Sequence, residues 1–185
     1  ISAPRQNRRS LDTAIIGSES MLRRDVTEEK LIDFITRFKT MVPGIPVTTA
    51  DVYGELTSRP NLIAVCDFVY GNFYPYWEGV EVKYAVANLQ AAYLGLQQVA
   101  GTKPILISEA GWPTAGATNG MSIPTLENAS FYFLNLVSWA RAKDVKIFYF
   151  EAFDEDWKTA EGTVGPNWGL FDKTGVLKIG MEKVF

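Results

Sequence analysis

Short β-rich apolar runs alternate with longer stretches of helical period along this chain, and no other feature narrows the possible folds as far. The runs are Ala14–Ser18 (AIIGS), 45–50 (IPVTTA), 66–71 (CDFVYG), 104–108 (PILIS) and 147–152 (IFYFEA). Each is nearly continuous in apolar or β-branched residues, as strands covered on both faces should be. Between them, 27–42 places Leu31, Ile35, Phe38 and Val42 at helical spacing. Thr27 fits an N-cap there, Glu28 and Glu29 suit the positive end of the helix dipole, and Pro43-Gly44 stops the helix. The same period recurs over 82–99, and over 124–142 with Pro124 expected in the first turn. Residues 57–64 give at most a short helix, and 1–9 and 176–185 are possible helical ends. Five such alternations predict a parallel α/β fold. Doubly wound sheets and barrels share the pattern, and periodicity favours neither. No linker or low-complexity stretch interrupts it, so 1–185 is read as one domain.

The chain has no histidine, which removes Ser-His-Asp and Cys-His catalysis and every His-ligated zinc site. Cys66 is alone, so an intrachain disulfide and a CxxC metal or redox site are excluded. There is no P-loop and no GxGxxG motif, and no metal or cofactor is expected. A net charge of −3 without a Lys/Arg block argues against nucleic acid as a partner. No apolar run reaches the roughly 20 residues of a membrane span, so no membrane association is expected. Carboxylates, Lys and Tyr are left for proton chemistry.

Carboxylates and rings gather just beyond the strand C-termini, the rim where parallel barrels keep their active sites. The first run ends in Ser18-Glu19-Ser20 and the second in Asp51. The third ends in Asn72-Phe73-Tyr74-Pro75-Tyr76-Trp77, and the fourth in Glu109-Ala110-Gly111-Trp112-Pro113. The fifth ends in Glu151, then Asp154-Glu155-Asp156-Trp157-Lys158. Two glutamates directly following buried strands suit a retaining glycosidase, which needs one ionised carboxylate to attack and one protonated carboxyl to donate. The polar, Gly-rich segment 111–123 is the longest connection and follows a strand, where loops carry function.

The strings IIGSESMLRRD (residues 15–25) and ILISEAGWPTAG (105–116) resemble the acid/base and nucleophile strands of glycoside hydrolase family 17. NFYPYWEG (72–79) and FYFEAFDEDWK (148–158) agree in order and spacing, so the resemblance covers nearly the whole chain. It implies a (β/α)8 TIM barrel of which these runs are roughly strands 4 to 8, with Glu19 as acid/base and Glu109 as nucleophile. A carboxyl separation of about 5–5.5 Å would give retention. It also implies β-1,3-glucan as the partner molecule, a secreted or cell-wall location, and a functional Glu155/Lys158 pair beside the nucleophile. Strands one to three of that pattern are missing from the sequence, and the expectation is that it is a fragment of a larger barrel or that the missing half is supplied in some other way.

The residue before the acid/base is usually Asn in that family and is Ser18 here. A hydroxyl is shorter than an amide, so its contact with a sugar hydroxyl is expected to weaken or run through water. Tyr74, Tyr76, Trp77, Trp112 and Trp157 lie just beyond strand ends and are expected to stack on glucose rings. Three functions fit: an endo-β-1,3-glucanase, a β-1,3-glucanosyltransferase of the same chemistry, or a degenerate barrel that binds glucan without turnover.

Overall fold

The computed structural model describes residues 11–178 together with Gly180 and Met181. Its elements alternate as the sequence pattern requires. They are β1 (Ala14–Ser18), α1 (Glu28–Met41), β2 (Val47–Val52), α2 (Tyr53–Thr57), α3 (Pro60–Val65), β3 (Val69–Asn72), α4 (Val82–Ala100), β4 (Ile105–Ala110), α5 (Leu126–Lys143) and β5 (Ile147–Tyr149). The sheet runs in chain order, β1-β2-β3-β4-β5. The chain divides into two compact units, one running to Gly71 and taking up Gly95–Leu106, the other holding Asn72–Leu94 and the chain from Ile107 on.

In the first unit β1 and β2 are parallel, with Ala14 opposite Val47 and Ser18 opposite Ala50. The register slips between Ile15 and Ser18, and Gly17 there has φ +82°. Helix α1 starts where Thr27 accepts the Lys30 N–H at 3.3 Å, and Leu31 and Ile35 are its buried stripe. Burial of each is worth about 1.5–3 kcal/mol. Val47 and Ala50 from β2, Phe68, and Val69 and Tyr70 from β3 belong to the same unit's core.

Three boundaries differ from the sequence expectation in this unit. The helix near 57–64 is two helices, because Arg59 precedes Pro60 and takes an extended φ of −127°. Cys66 does not begin a strand: it caps α3, its N–H bonding Ile63 O and its thiol donating to Leu62 O at 3.3 Å. Burial pushes that thiol's pKa up, which fits a small core residue. Asp67 then accepts the Val47 N–H at 2.8 Å and pairs with Lys39, so β3 starts only at Val69.

In the second unit β4 and β5 are parallel. Helix α5 begins after Thr125, whose hydroxyl accepts the Asn128 N–H at 3.1 Å. Pro124 therefore lies outside the helix rather than in its first turn, because a hydroxyl next door satisfies the orphan N–H. The helix ends on Asp144 in a left-handed conformation, with Arg141 and Lys143 in the last turn. β5 stops at Tyr149 rather than 152. Phe150 N–H still reaches Ala110 O, but Glu151 N–H turns away to Trp168 O at 3.2 Å. The described residues after 175 are not helical. Leu177 instead pairs antiparallel with Phe171, the Lys178 N–H bonds Leu170 O at 3.1 Å, and the Lys178 ammonium donates to Asp154 at 2.7 Å and to the Thr114 hydroxyl at 2.6 Å. The expectation for 1–9 lies outside the described residues.

Candidate active site

At the end of β1 the chain turns sharply, and Glu19 sits on the turn. Its φ is +52°, a region that costs a non-glycine residue roughly 1–2 kcal/mol. Strain of this kind persists where neighbours over-determine it, and here several do. Glu19 N–H bonds Ala50 O at 2.8 Å, and Arg23 N–H bonds Glu19 O at 2.9 Å. The Arg23 guanidinium pairs with Glu19 Oε2 at 3.2 Å and also bonds the Ser18 carbonyl. Asp51, fully buried, accepts the Met21 N–H at 2.8 Å and the Val52 N–H at 2.9 Å, which ties the turn after Glu19 to β2. Burial raises the Asp51 pKa, backbone N–H groups oppose that, and the nearby Glu19 charge adds to it. Ser18 is exposed at the strand end.

At the end of β4 the surroundings are aromatic. Glu109 Oε2 accepts the Tyr74 hydroxyl at 2.7 Å, and Glu109 O accepts the Phe73 N–H at 2.8 Å. The Tyr74 ring meets Phe150 edge-on at 5.8 Å and Trp168 at 5.4 Å. Gly111 follows because a Cβ there would lie 1.8 Å from Phe150 O; only glycine lets the two segments approach this closely.

The five aromatic candidates separate into two groups. Tyr76 and Trp112 are 1% and 0% exposed and have no ring face open to a sugar. Tyr76 donates its hydroxyl to Ala117 O at 2.5 Å, and Trp112 donates its indole N–H to Ile123 O at 3.1 Å. Their rings pack at 5.9 Å on each other, so both belong to the structure of the rim rather than to stacking on a ligand. Trp77 and Trp157 are 45% and 72% exposed and keep faces that a sugar can reach. Tyr74 lies between, through its hydroxyl on Glu109.

Glu155 and Lys158 are more than an i,i+3 surface pair. The Lys158 side chain is 12% exposed, and its ammonium is held between Glu151 Oε2 and Glu155 Oε2 and lies 4.2 Å from the Phe150 ring centroid. Burial opposes its charge, but the two carboxylates together hold its pKa above the usual lysine value. Burial pushes the Glu151 carboxyl up to about 7, and its Oε1 is buried without a hydrogen-bond partner among the described residues. The Lys158 hydrogen bond holds Glu155 below its usual range.

Sequence reasoning passed over Glu151, Arg23, Asp51 and Trp168 as functional residues. Asp51 lies next to the end of β2 and Glu151 two residues beyond β5, so both carried the strand-end signal. Trp168 carried none: it is buried, bonds Glu161 through its indole at 2.9 Å, and gathers the rings of Tyr74, Tyr76, Trp77 and Phe150. Among the described residues no group of His, Cys, Asp and Glu could hold a metal ion, and no helix is long and apolar enough to cross a membrane.

Each unit carries a glutamate at the C-terminal end of a parallel strand, Glu19 after β1 and Glu109 on β4, the position at which glycoside hydrolases of the parallel β/α class keep their carboxylates. The chain belongs to the BtgE/BtgC glycoside hydrolase domain family, whose model matches residues 1–169. A glucan 1,3-beta-glucosidase of Schizosaccharomyces pombe is 32% identical over 180 residues, covering 90% of this chain and 56% of that protein. The putative glucan endo-1,3-beta-glucosidase btgC of Aspergillus niger is 31% identical over 195 residues, covering 91% of this chain and 28% of that protein. The crystal structure of a family 17 β-1,3-glucanosyltransferase from Rhizomucor miehei superposes with a TM-score of 0.85 at 32% identity, covering 92% of this chain and 63% of that one. An active-site mutant of that enzyme has been solved with laminaritriose. The fold is thus that of the (β/α)8 glycosidases, and the chain holds part of the barrel, roughly strands 4 to 8. It spans 28% to 63% of the length of these relatives, and so less than two thirds of each.

Proposed function

We propose that this chain carries the catalytic carboxylates of a retaining glycosidase acting on β-1,3-glucan. The observation that carries the reading is Glu109, placed at a strand end with its Oε2 oriented by the Tyr74 hydroxyl at 2.7 Å. A hydrogen bond from a neutral donor fixes the orientation of a carboxylate without neutralising the charge that attacks. Glu109 attacks the anomeric carbon, the glycosidic C–O bond breaks, and Glu19 gives its proton to the leaving oxygen. In the second step Glu19 takes a proton from water, whose oxygen displaces Glu109 from the anomeric carbon. The steps need protons and carboxylates alone. Ser18, Tyr74, Trp77, Glu155, Trp157 and Lys158 are the proposed sugar contacts. Tyr76 and Trp112 hold the rim from behind. A secreted or cell-wall location follows from such a substrate.

The likeness to the Rhizomucor glucanosyltransferase favours a second reading, in which an acceptor sugar replaces water in the second step. One experiment tests both: incubation with laminarin and laminari-oligosaccharides, followed by product sizing. Shorter products mean hydrolysis and longer ones mean transfer. Unchanged substrate alongside measurable binding means a glucan-binding module and ends the enzymatic reading.

A further inference from the structure

Apart from the strand ends, the second unit carries one concavity built from an unusual set of groups. A cavity of about 320 Å³ opens on the outer faces of α4 and α5, lined by Gln90, Phe131, Asn135 and Trp139, with Lys83 and small aliphatic residues completing it. That volume is at the lower end of the range for small-molecule sites, about 300–1,000 Å³. Phe131 is 45% exposed, and Trp139 is half-buried against Tyr93, with ring centroids 5.7 Å apart at 81°. The rings are therefore fixed but open on one side.

The polar groups around those rings are underused. Gln90 is half-buried and takes no hydrogen-bond partner among the described residues, nor does the Trp139 indole N–H. Asn135 donates its Nδ2 to Phe131 O at 2.7 Å, which fixes the amide plane and leaves its Oδ1 as an acceptor. Lys83 is occupied: its ammonium pairs with Glu81 at 2.9 Å and lies over the Tyr84 ring. Among the described residues no acidic side chain lines the cavity. The site thus offers amide donors and acceptors, an indole donor and two ring faces, with no uncommitted charge. Such a set suits a neutral ligand with many hydroxyls and an apolar C–H face, which is a pyranose, and suits neither a phosphate nor a cation.

We propose that this groove is an accessory site that binds a glucosyl unit of a β-1,3-glucan chain, separate from the strand-end carboxylates. The identity of the sugar rests on the function proposed above. Gln90 and Asn135 bracket the hydroxyls from one helix each, and Phe131 and Trp139 supply the surface for the ring. A long glucan held here is retained near the enzyme between catalytic events.

The test is titration of the ¹⁵N-labelled full chain with laminaritriose, read at the indole N–H signals of the five tryptophans. Trp139→Phe keeps a ring against Tyr93 and identifies the Trp139 signal by its loss. The expected result is a saturable shift of that signal. Gln90→Leu should weaken the affinity read there severalfold and leave the response of Trp77 and Trp157 unchanged. A stationary Trp139 signal while Trp77 or Trp157 moves overturns the accessory site and leaves the proposed function standing. A Trp139 response of equal size to cellotriose, which has β-1,4 links, overturns the assigned ligand. No movement at any indole removes both the site and the glucan reading.

Discussion

The two strand-end glutamates are the same residue in opposite surroundings. Glu19, in the first unit, is fixed by charge and backbone: a positive φ, the Arg23 guanidinium at 3.2 Å, and buried Asp51 pinning the turn behind it. Glu109, in the second, is fixed by a phenol whose ring is wedged against Phe150 and Trp168. Ring packing resists displacement because many contacts must be lost together, whereas a half-exposed ion pair contributes about 0–1 kcal/mol and yields to salt. A nucleophile must be held still at one carbon; a proton donor must release and recover its proton. The contrast in surroundings suits the division of labour proposed for them.

The largest effects should come from deleting the glutamates themselves, and these separate the roles. Glu109→Ala should lower turnover of laminarin by at least about 10³-fold, because no covalent intermediate forms. The emptied site should accept an α-glucosyl fluoride, which mimics that intermediate. Glu19→Ala should lose about 10²–10⁴-fold on laminarin but far less on substrates with good leaving groups. Azide should then accelerate it and give a β-glycosyl azide; an α-azide would mean that the roles are exchanged. Unchanged laminarin cleavage in either variant removes that residue from the mechanism.

Ring deletion should separate the buried rings of the second unit from its exposed ones. Trp112→Ala empties a fully buried site and should cost about 3–5 kcal/mol in a urea melt. Trp157→Ala, at 72% exposed, should leave stability within about 0.5 kcal/mol. If Trp157 stacks on sugar, the same change should weaken oligosaccharide binding by about 1 kcal/mol in calorimetry. A melt that responds to Trp157 and not to Trp112 would reverse the assignment of the two rings.

The second unit also holds a charged exception, Glu151, and pH sharpens its place in the comparison. Its folded pKa of about 7 exceeds the ordinary value of 4.5, because burial disfavours the ionised form. The folded state therefore holds a proton that the unfolded chain has released. The stabilisation is complete below about pH 4.5 and is lost as pH rises through about 7. Glu155 acts in the other direction: its pKa is lowered, so its contribution is present above the ordinary carboxylate range and lost as pH falls. Glu151→Gln cannot ionise, so its stability relative to the parent should improve from pH 5 to pH 7.5, with a slope of at most about 1.4 kcal/mol per pH unit. Parallel stability profiles for the two proteins would show that Lys158 keeps Glu151 ionised throughout.

How far the sequence could be read follows from the kind of signal each feature has. β1 and the body of α1 were legible because a continuous apolar run and a 3.6-residue period are written locally. Glu19 and Glu109 were legible as candidates because strand ends are where such chemistry sits. Burial of a loop aromatic was not: Trp112 and Trp157 both follow strands, yet one is sealed by Tyr76 and Tyr132 and the other is exposed. That difference depends on residues far away in the chain. Trp168 was invisible for the same reason, since its partners are rings from two distant segments, 74–77 and Phe150. The end of β5 was misplaced because Glu151 takes its hydrogen bond from outside the sheet, which apolar content does not record.

The smallest expected effect is the most specific to the second unit. Tyr74→Phe removes one oxygen and keeps the ring, so the contacts with Phe150 at 5.8 Å and Trp168 at 5.4 Å persist. A hydrogen bond to a charged partner contributes about 1.5–3 kcal/mol, part of which solvent recovers at a half-buried carboxylate. The change should therefore lower kcat by about tenfold while stability shifts by less than about 1 kcal/mol. KM should move little, because what is lost is the orientation of Glu109 in the attacking step rather than a contact with ground-state sugar. Tyr74→Ala, by contrast, removes the ring and should lower both stability and kcat. If Tyr74→Phe leaves kcat unchanged and raises KM instead, the hydroxyl acts as a sugar contact and Glu109 is held by packing alone. If both variants melt alike, the ring contributes nothing to the packing, and the contrast between an ion-paired Glu19 and a ring-held Glu109 fails.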